Sequence, residues 1–468
     1  MTFARPLMRW MPWLLVMPWC GIAATQDRSP PSIDPWRYTE NYSYLADPDQ
    51  HTGAWWEAGK WIAVGERSNL TLGAEVRARY EHYRNNEFGD AALPDEGYEL
   101  FRALPYAELR FESRVRVFTQ LNLTDAHRDE SSEGPVDDTG TELLQGFVET
   151  SFGSPQDRQW TLRAGRQVMA LGRQRLISAR YGANVLRSFD GAFLSSQSPR
   201  LRVDAFYARP VRNELGSFND HTDRYRRMWG LYATLSEPAE VPETGVDLYY
   251  LHLSNTHARY NQGSGAETRN TLGVRYFGDR YGWSWDHEAI YQFGDFAGAS
   301  IRSWWLASDV RYRFDQVRWR PRLGLKASAI SGDRDPDDPD LQTLNAYFSW
   351  GKYFGEAGLI GPSNLINLHP SLTLDLGSGW SVSAAAIFYW RESLDDGVYG
   401  VAGNQLRMAD ESRKRYIGTQ GDLVVGCEVS RQMSFEVAYS LFQPGDFIRD
   451  TGRSDTVHFI GLEALWRY

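Results

Sequence analysis

Residues 70–80 decide the fold, and they read Leu70-Thr71-Leu72-Gly73-Ala74-Glu75-Val76-Arg77-Ala78-Arg79-Tyr80. Every second residue from Leu70 to Tyr80 is apolar, whereas the residues between them are Thr, Gly, Glu, Arg and Arg. A helix would spread those charges around its circumference, but a strand places all of them on one side. The stretch therefore predicts a β-strand with one apolar face and one charged face.

The same alternation recurs to the end of the chain and predicts about eighteen strands. In the first half they span 69–84, 98–112, 114–126, 142–153, 159–168, 187–195, 199–209, 226–236 and 245–256. In the second half they span 267–278, 282–294, 300–314, 319–331, 369–377, 380–392, 415–429, 431–442 and 455–468.

The connections between these strands alternate in length. Short connections follow even-numbered strands, and the longer ones mostly follow odd-numbered strands, at 85–97, 127–141, 169–186, 210–225, 332–368 and 393–414. Outer-membrane barrels have this asymmetry, whereas a soluble β-sandwich has no reason to keep it. We therefore expect an all-β fold, a transmembrane antiparallel β-barrel over residues 69–468 with short periplasmic turns and long extracellular loops.

Composition agrees with a barrel. No stretch after residue 24 approaches the ~20 apolar residues of a membrane-spanning helix. Aromatic residues make up 14% of the chain, with 18 Trp and 25 Tyr, and a barrel uses such residues in two interfacial girdles. A soluble secreted carbohydrate-binding β-sandwich is the alternative explanation. The C-terminus favours the barrel, because Leu462, Ala464, Trp466 and Tyr468 share one face of a last strand.

Residues 1–24 have the character of a signal peptide, with Arg5 and Arg9 before an apolar run and small residues up to Ala24. Cys20 allows a lipoprotein signal as an alternative, although Trp19 before it fits such a site poorly. Cleavage after Ala24 would leave Cys427 as the one cysteine, so we expect no intrachain disulfide.

Residues 25–68 show no alternation and contain Trp55, Trp56 and Trp61. We interpret them as a periplasmic N-terminal extension that packs against the barrel mouth or plugs it. The expected location of the mature chain is the outer membrane of a Gram-negative cell.

The formal net charge is −10, which argues against nucleic-acid partners. Nearly all basic residues are arginine, whose planar fork binds carboxylates through two contacts. If the apolar face of each strand meets lipid, the opposite face lines a lumen. The predicted lumen arginines are Arg77, Arg79, Arg102, Arg110, Arg116, Arg163, Arg166, Arg202, Arg275, Arg311, Arg313 and Arg391.

Such a lumen would favour anions. The alternative is that these arginines pair with carboxylates across strands and brace the wall, at ~0.2–1 kcal/mol a pair.

Within loop 169–186, we expect an inward-folded constriction with Arg175 and Arg187 as anion contacts; a solvated external loop is the other possibility. The acidic run from Asp333 to Asp340 lacks the spacing of an EF-hand, so we expect a surface loop; a divalent-ion site is the alternative.

Three stretches resemble the alginate export family of outer-membrane proteins. The first is Arg37-Tyr38-Thr39-Glu40-Asn41-Tyr42-Ser43-Tyr44-Leu45-Ala46-Asp47-Pro48. The second runs from Gly165-Arg166-Gln167 through Gly172-Arg173-Gln174-Arg175-Leu176 to Gly182-Ala183-Asn184-Val185-Leu186-Arg187-Ser188-Phe189-Asp190-Gly191. The third includes Gly361-Pro362-Ser363-Asn364-Leu365-Ile366 and Leu368-His369-Pro370.

The resemblance implies an 18-stranded barrel with an arginine-rich constriction for the polyuronate alginate. It marks Gln167, Asn184, Asp190, Asn364 and His369 as motif positions. Two departures from the family pattern are Gln174 and the stretch 345–350, either of which would alter the long loop or the constriction rather than the fold.

No Gly-x-Ser-x-Gly, His-Glu-x-x-His, phosphate loop or Cys-x-x-Cys occurs, so we expect neither an enzyme nor a cofactor. The expected function is a channel for an anionic polysaccharide or oligosaccharide. A general porin for small solutes is the alternative. The expected partners are outer-membrane lipid, the anionic cargo and periplasmic export proteins.

Overall fold

The structure is a computed structural model, and it describes residues 33, 35–112, 114–128, 134–154, 156–237, 244–260, 263–335, 337–409 and 412–468. The signal peptide predicted at 1–24 lies outside the described residues. The described part of the predicted N-terminal extension is 33 and 35–68.

Eighteen strands of the described chain form one antiparallel barrel. The first two are each interrupted once: β1 is Ser68–Gly73 with Glu75–Arg84, and β2 is Glu96–Ala103 with Tyr106–Phe111. The next seven are β3 Val115–Arg128, β4 Thr141–Gly153, β5 Gln159–Gln167, β6 Phe189–Gln197, β7 Leu201–Arg212, β8 Arg226–Ser236 and β9 Gly245–Tyr260. The last nine are β10 Gly263–Arg280, β11 Trp283–Phe296, β12 Ala299–Arg313, β13 Arg322–Ile330, β14 Leu365–Gly377, β15 Trp380–Trp390, β16 Tyr416–Glu428, β17 Met433–Pro444 and β18 Val457–Arg467.

The barrel closes because β18 pairs with β1, in a register that places Trp466 opposite Val76 and His458 opposite Arg84. All other neighbours in the ring pair antiparallel in chain order. The prediction of an 18-stranded barrel is confirmed. A single closed sheet excludes the alternative of a two-sheet sandwich.

The alternation of side chains separates an outer apolar surface from the lumen. On β1, Leu72 is exposed whereas Glu75, Arg77 and Arg79 are buried inside. Exposed leucines, valines and aromatic residues repeat around the outside, as a lipid-facing surface requires; examples are Leu231, Leu248, Leu272, Leu306 and Leu325.

The two ends of the barrel differ. At the turn end, β14 and β15 are joined by 378–379, and β10 and β11 by 281–282. At the loop end, the connections include 168–188, 331–364 and 391–415. The loop-end connection between β9 and β10 is short because both strands continue further than predicted: β9 ends at 260 rather than 256, and β10 begins at 263 rather than 267.

Two loop-end connections fold into the lumen. We call residues 168–188 the first inner loop and residues 331–364 the second inner loop. They meet in a parallel bridge between Ile177 and Phe348, where the Ser178 amide donates to the Phe348 carbonyl at 2.9 Å. Together with lumen-facing side chains such as Trp305 and Ile290, they form an apolar core inside the barrel.

The N-terminal extension lies at the turn end. It contains 3-10 turns at Ser43–Ala46, Pro48–Gln50 and Trp55–Gly59, and a short strand Ile62–Val64. That strand pairs with β1, placing Ile62 opposite Leu70 and Val64 opposite Ser68. It therefore covers the edge of β1 that β18 leaves open, because β18 ends opposite Glu75.

The remaining elements are short. They are the strands His221–Thr222, Val398–Tyr399 and Gln405–Arg407, a 3-10 turn Asn86–Gly89 and one helix, α1, at Asp446–Thr451. Among the described residues, no helix has the length and apolar character needed to cross a membrane.

Candidate functional site: the arginine-lined lumen

Three predicted lumen arginines hold the first inner loop. Arg77 donates to the carbonyls of Tyr181 and Gly182 at 3.2 and 3.1 Å, and to that of Ala183 at 2.8 Å. Arg79 donates to Gly182 at 2.7 Å, and Arg102 to Ala183 at 2.8 Å. All three side chains are buried, and two of them also pair with carboxylates: Arg79 with Glu81 at 2.6 Å and Arg102 with Glu75 at 2.7 Å.

A second group braces the wall near the turn end. Arg116 lies between Glu108 and Glu149, at 2.9 and 2.8 Å. Arg163 pairs with the same Glu149 at 2.6 Å, and Arg110 pairs with Glu108. Three guanidinium groups thus share two carboxylates, so this cluster, defined by these five residues, carries one excess positive charge.

Arg175 has three side-chain partners, and its Nη2 is buried without one among the described residues. Its Nη1 donates to Asp286 at 2.7 Å and to Glu288, and its Nε donates to the Tyr353 hydroxyl at 2.8 Å. The side chain is 1% exposed. The first inner loop does fold inward, as expected, but Arg175 fastens its tip to β11 and offers little to a passing anion.

Arg187 is the opposite case. Its guanidinium makes no hydrogen bond or ion pair with the described residues; it lies over the Phe348 ring, 5.0 Å from the centroid, and its Nη1 is buried. Burial lowers the pKa of Arg187 well below its usual value, and Arg180 and Arg226 add to the effect. An unpaired guanidinium of this kind has unused donors for an anion.

Arg166 is not a lumen residue, contrary to the prediction. It lies three positions from Arg163 and therefore on the opposite side of β5, in the series of the exposed Leu162. There it pairs with Asp190 on β6 at 2.8 Å, and Thr222 also donates to Asp190 at 2.6 Å. These contacts join β5, β6 and the 213–225 loop at the loop end.

A basic strip lies at the turn end of β12 and β13. We define it as Arg173, Arg311, Arg313, Arg320 and Arg322. Arg311 and Arg313 pair with Asp309 and Asp315 at 2.7 and 2.5 Å, but both remain more than a third exposed.

Three members of the basic strip have weaker partners or none, and one of them is Arg320, which lies 3.8 Å from Asp375. Arg173 reaches from the first inner loop to no closer than 3.5 Å from Asp309 and remains about half exposed, at 46%. Arg322 has no ion pair or side-chain hydrogen bond with the described residues. A cavity of ≈ 330 Å³ opens here, lined by Arg313, Asp315, Arg320, Arg322, Thr373 and Asp375. Its volume is in the ~300–1,000 Å³ range of ligand pockets.

The remaining predicted arginines have partners within the protein. Arg202 pairs with Asp204 at 2.9 Å, and Arg275 joins Asp247 and Asp286 at 2.6 Å each. Arg391 lies in the 391–415 loop, where it donates only to backbone carbonyls, including those of Leu394, Asp396, Ser412 and Lys414.

Two motif asparagines fasten the inner loops. The Asn184 side-chain amide donates to the carbonyls of Phe101, Asp125 and Asp137 at 3.0, 3.4 and 2.7 Å. The Asn364 amide donates to Ser393, Asp396 and Gly397 at 2.9 to 3.1 Å. Each therefore connects one inner loop to backbone that is distant in sequence.

Gln167 and His369, which are also motif positions, make fewer side-chain hydrogen bonds than these asparagines. Gln167 is buried at the end of β5, where it accepts from Arg163 at 3.4 Å. His369 faces the lumen from β14 with a buried Nδ1 that has no partner. The acidic run at 333–340 caps its own backbone, since the Asp335 amide donates to Asp333 at 3.2 Å. Within the described ranges, no three His, Cys, Asp or Glu side chains are grouped as metal ligands.

Sequence reasoning missed several lumen cations. Arg269 is fully buried between Glu267, Gln292 and Ser303, at 2.5, 2.8 and 3.1 Å. Its spacing of six from Arg275 on β10 would have placed both on one face. Arg322 and Lys326 were also missed, although they are four positions apart on β13.

The chain was compared with known families and structures. A family model described as alginate export matches residues 68–461. No curated protein matches the chain. Among solved structures, OccK9 (OpdG) of Pseudomonas aeruginosa is similar with a TM-score of 0.59 and 12% identity, over 85% of this chain and 98% of that one.

Two further structures from the same organism are similar. OccK3 (OpdO) has a TM-score of 0.54 and 14% identity, over 85% of this chain and 95% of that one. OccK2 (OpdF), solved in complex with glucuronate, has a TM-score of 0.54 and 12% identity, over 85% and 97%. At these identities the likeness concerns the fold, which is that of outer-membrane porins.

Proposed function

Because the chain belongs to the alginate export family and folds as an outer-membrane channel, we propose that it passes an anionic polysaccharide or oligosaccharide through the arginine-lined lumen. The cargo is alginate-like in that it carries a carboxylate on each sugar. A chain of carboxylates moves between guanidinium groups, provided that no single group binds too tightly.

The observation that carries this proposal is the basic strip with its cavity at the turn end. Arg322 has no partner among the described residues and Arg173 has only distant ones, so both keep N–H donors for a ligand. Since the turn end of an outer-membrane barrel faces the periplasm, an anionic chain in that compartment meets these donors first. Arg187 supplies a further unpaired guanidinium within the first inner loop.

A uronate is the sugar class that this chemistry favours. Arginine binds a carboxylate through two parallel hydrogen bonds, which fixes orientation as well as charge. The similar barrel OccK2 was solved in complex with glucuronate, so a porin fold of this type accommodates a uronate.

The experiment is single-channel recording in planar bilayers with alginate oligomers added to one side. The Arg173→Gln, Arg322→Gln double variant removes two donors without leaving a closely paired carboxylate. We expect it to weaken the block by alginate roughly tenfold, if each exposed contact contributes ~0.5–1 kcal/mol. Arg212→Gln, at the loop end of β7, is the matched control, and dextran of equal length should not block.

A general porin for small solutes is the second candidate, and the wall-bracing pairs favour it. Arg102 with Glu75 and Arg275 with Asp247 are buried pairs at 2.7 and 2.6 Å that stabilise the wall whatever passes. Equal current block by alginate and dextran, unchanged in the double variant, would support this candidate and reject the first.

A further inference from the structure

Among the first described side chains of the N-terminal extension, Trp36 and Tyr38 lie inside the barrel. The Tyr38 ring packs edge-on against Phe118 and Phe147, with centroids 6.1 and 5.7 Å away. Both phenylalanines are buried lumen-facing residues, on β3 and β4. Trp36 lies beside Leu104 and Leu144 and meets the Tyr181 ring of the first inner loop edge-on at 6.5 Å.

Tyr38 covers two arginines of the bracing cluster. The Arg163 guanidinium lies over its ring, 4.3 Å from the centroid, and over the Phe147 ring at 4.6 Å. Arg116 Nη1 donates to the Tyr38 carbonyl at 2.5 Å. Tyr38 therefore presents a planar face to one guanidinium and an oxygen acceptor to another, in a cluster with one excess positive charge.

The segment is held by side chains rather than by the sheet. Residues 35–40 pair with no strand of the described chain. Arg37 has a φ of 54°, in the left-handed region that non-glycine residues rarely adopt, so its surroundings impose the conformation. The extension is anchored at two places. Arg37 donates to the Ala74 and Tyr468 main-chain oxygens, and at 55–64 Trp55 stacks on Tyr468 while the strand Ile62–Val64 pairs with β1.

We propose that Trp36 and Tyr38, on either side of the Arg37 anchor, form a removable inner plug, and that Tyr38 occupies a subsite that takes a uronate ring when it withdraws. The subsite consists of Arg116, Arg163, Phe118 and Phe147. A uronate has the same two features as Tyr38, a ring face for the aromatic and guanidinium groups and an oxygen acceptor for Arg116. The uronate as the ligand of this subsite rests on the proposed function, whereas the plug does not depend on it.

The test uses the full-length chain in planar bilayers, first in potassium chloride alone. Tyr38→Ala together with Trp36→Ala should raise single-channel conductance roughly twofold or more, because an 18-stranded barrel is wide enough for an aqueous channel. Tyr38→Phe should behave as the unchanged chain, since it keeps the ring. Trp55→Ala is the matched control from the same extension: it should lower the unfolding temperature without raising conductance.

The second arm adds short alginate oligomers. In Tyr38→Ala, the block should become stronger, and Arg163→Gln in the same chain should abolish the gain. Unchanged conductance in the double variant, or a rise in Trp55→Ala as well, would overturn the plug. Raised conductance without a stronger block would overturn the subsite. If alginate blocks no variant, the proposed function fails, and the conductance arm still decides the plug.

Discussion

Arg37 and Tyr468, at opposite ends of the described chain, are joined by a hydrogen bond of 2.7 Å from Arg37 Nη2 to the Tyr468 main-chain oxygen. Arg37 Nη1 also donates to the Ala74 carbonyl on β1 at 3.0 Å, and its Nε pairs with the buried Glu40 at 2.7 Å. One guanidinium therefore joins the extension, the first strand and the last strand at the seam of the barrel.

Replacing Arg37 with Ala should destabilise the folded barrel by ~3–5 kcal/mol, because it leaves Glu40 buried without its cation. The measurement is the temperature at which the folded form converts to the unfolded band in gel electrophoresis. Arg67→Ala is the control, since Arg67 pairs with Glu112 at the same 2.7 Å but is exposed. A surface pair contributes at most ~1 kcal/mol, so equal losses in the two variants would contradict the prediction.

The lipid-facing surface can be tested with a charge. Leu306 on β12 and Leu215 in the 213–225 loop are equally exposed, at 54%. Leu306→Arg should lower the free energy of unfolding in lipid vesicles by ~2–4 kcal/mol, because it places a cation in the hydrocarbon region. Leu215→Arg should be nearly neutral. Similar effects of the two substitutions would mean that β12 does not face lipid there.

Asn184→Ala should loosen the first inner loop. Three backbone carbonyls lose their donor, each at a cost of ~1–3 kcal/mol if it stays buried. We expect faster tryptic cleavage after Arg173, Arg175, Arg180 or Arg187, detected by intact mass. Asn219→Ala is the comparison, because Asn219 donates to the Leu215 carbonyl in an exposed loop. Cleavage of the inner loop at an unchanged rate would assign Asn184 no anchoring role.

Lys60 gives the seam a pH dependence. It is buried beside Tyr42, Tyr106 and Tyr468, and burial lowers its pKa from 10.5 to about 7, with Arg37 and Arg431 adding to the effect and Glu40 opposing it. Between these values the unfolded chain binds one more proton than the folded chain, so the free energy of unfolding rises with pH across this window.

The unfolding temperature of the unchanged chain should therefore rise from pH 7 to pH 9.5 relative to Lys60→Met, which lacks the titrating group. Other ionisable groups affect both chains alike and cancel in the difference. Parallel profiles for the two chains would refute a titrating Lys60.

Much of the fold follows from period two alone. The alternation from Leu70 to Tyr80 specifies which side of β1 meets lipid. The number of a strand in the chain, odd or even, then predicts whether a long loop or a short turn follows it. The same rule places Arg166 on the outer side of β5, because it lies an odd number of positions from the lumen-facing Arg163. It also predicts that Arg269 faces the lumen, because Arg269 shares a face with Arg275 on β10.

The pairing of arginines could not be predicted in this way. Arg175 and its partner Asp286 are 111 positions apart, and only the folding of the first inner loop into the lumen brings them together. The same holds for Tyr38 and Arg163, because no local pattern indicates that the extension enters the barrel. Whether a guanidinium is left without a partner in the described chain, as Arg322 is, is decided by such distant contacts.

The inner loops have one further consequence. Strands are constrained on their outer side by lipid and along both edges by neighbouring backbone, whereas the packed loops that cover the inner side are fastened at a few points such as Asn184 and Asn364. The sequences of the inner loops, which line the lumen, and of the strands, which form the wall, can therefore change at different rates in evolution. A descendant with another cargo would need a new lining between the same anchors, and its wall could stay as it is.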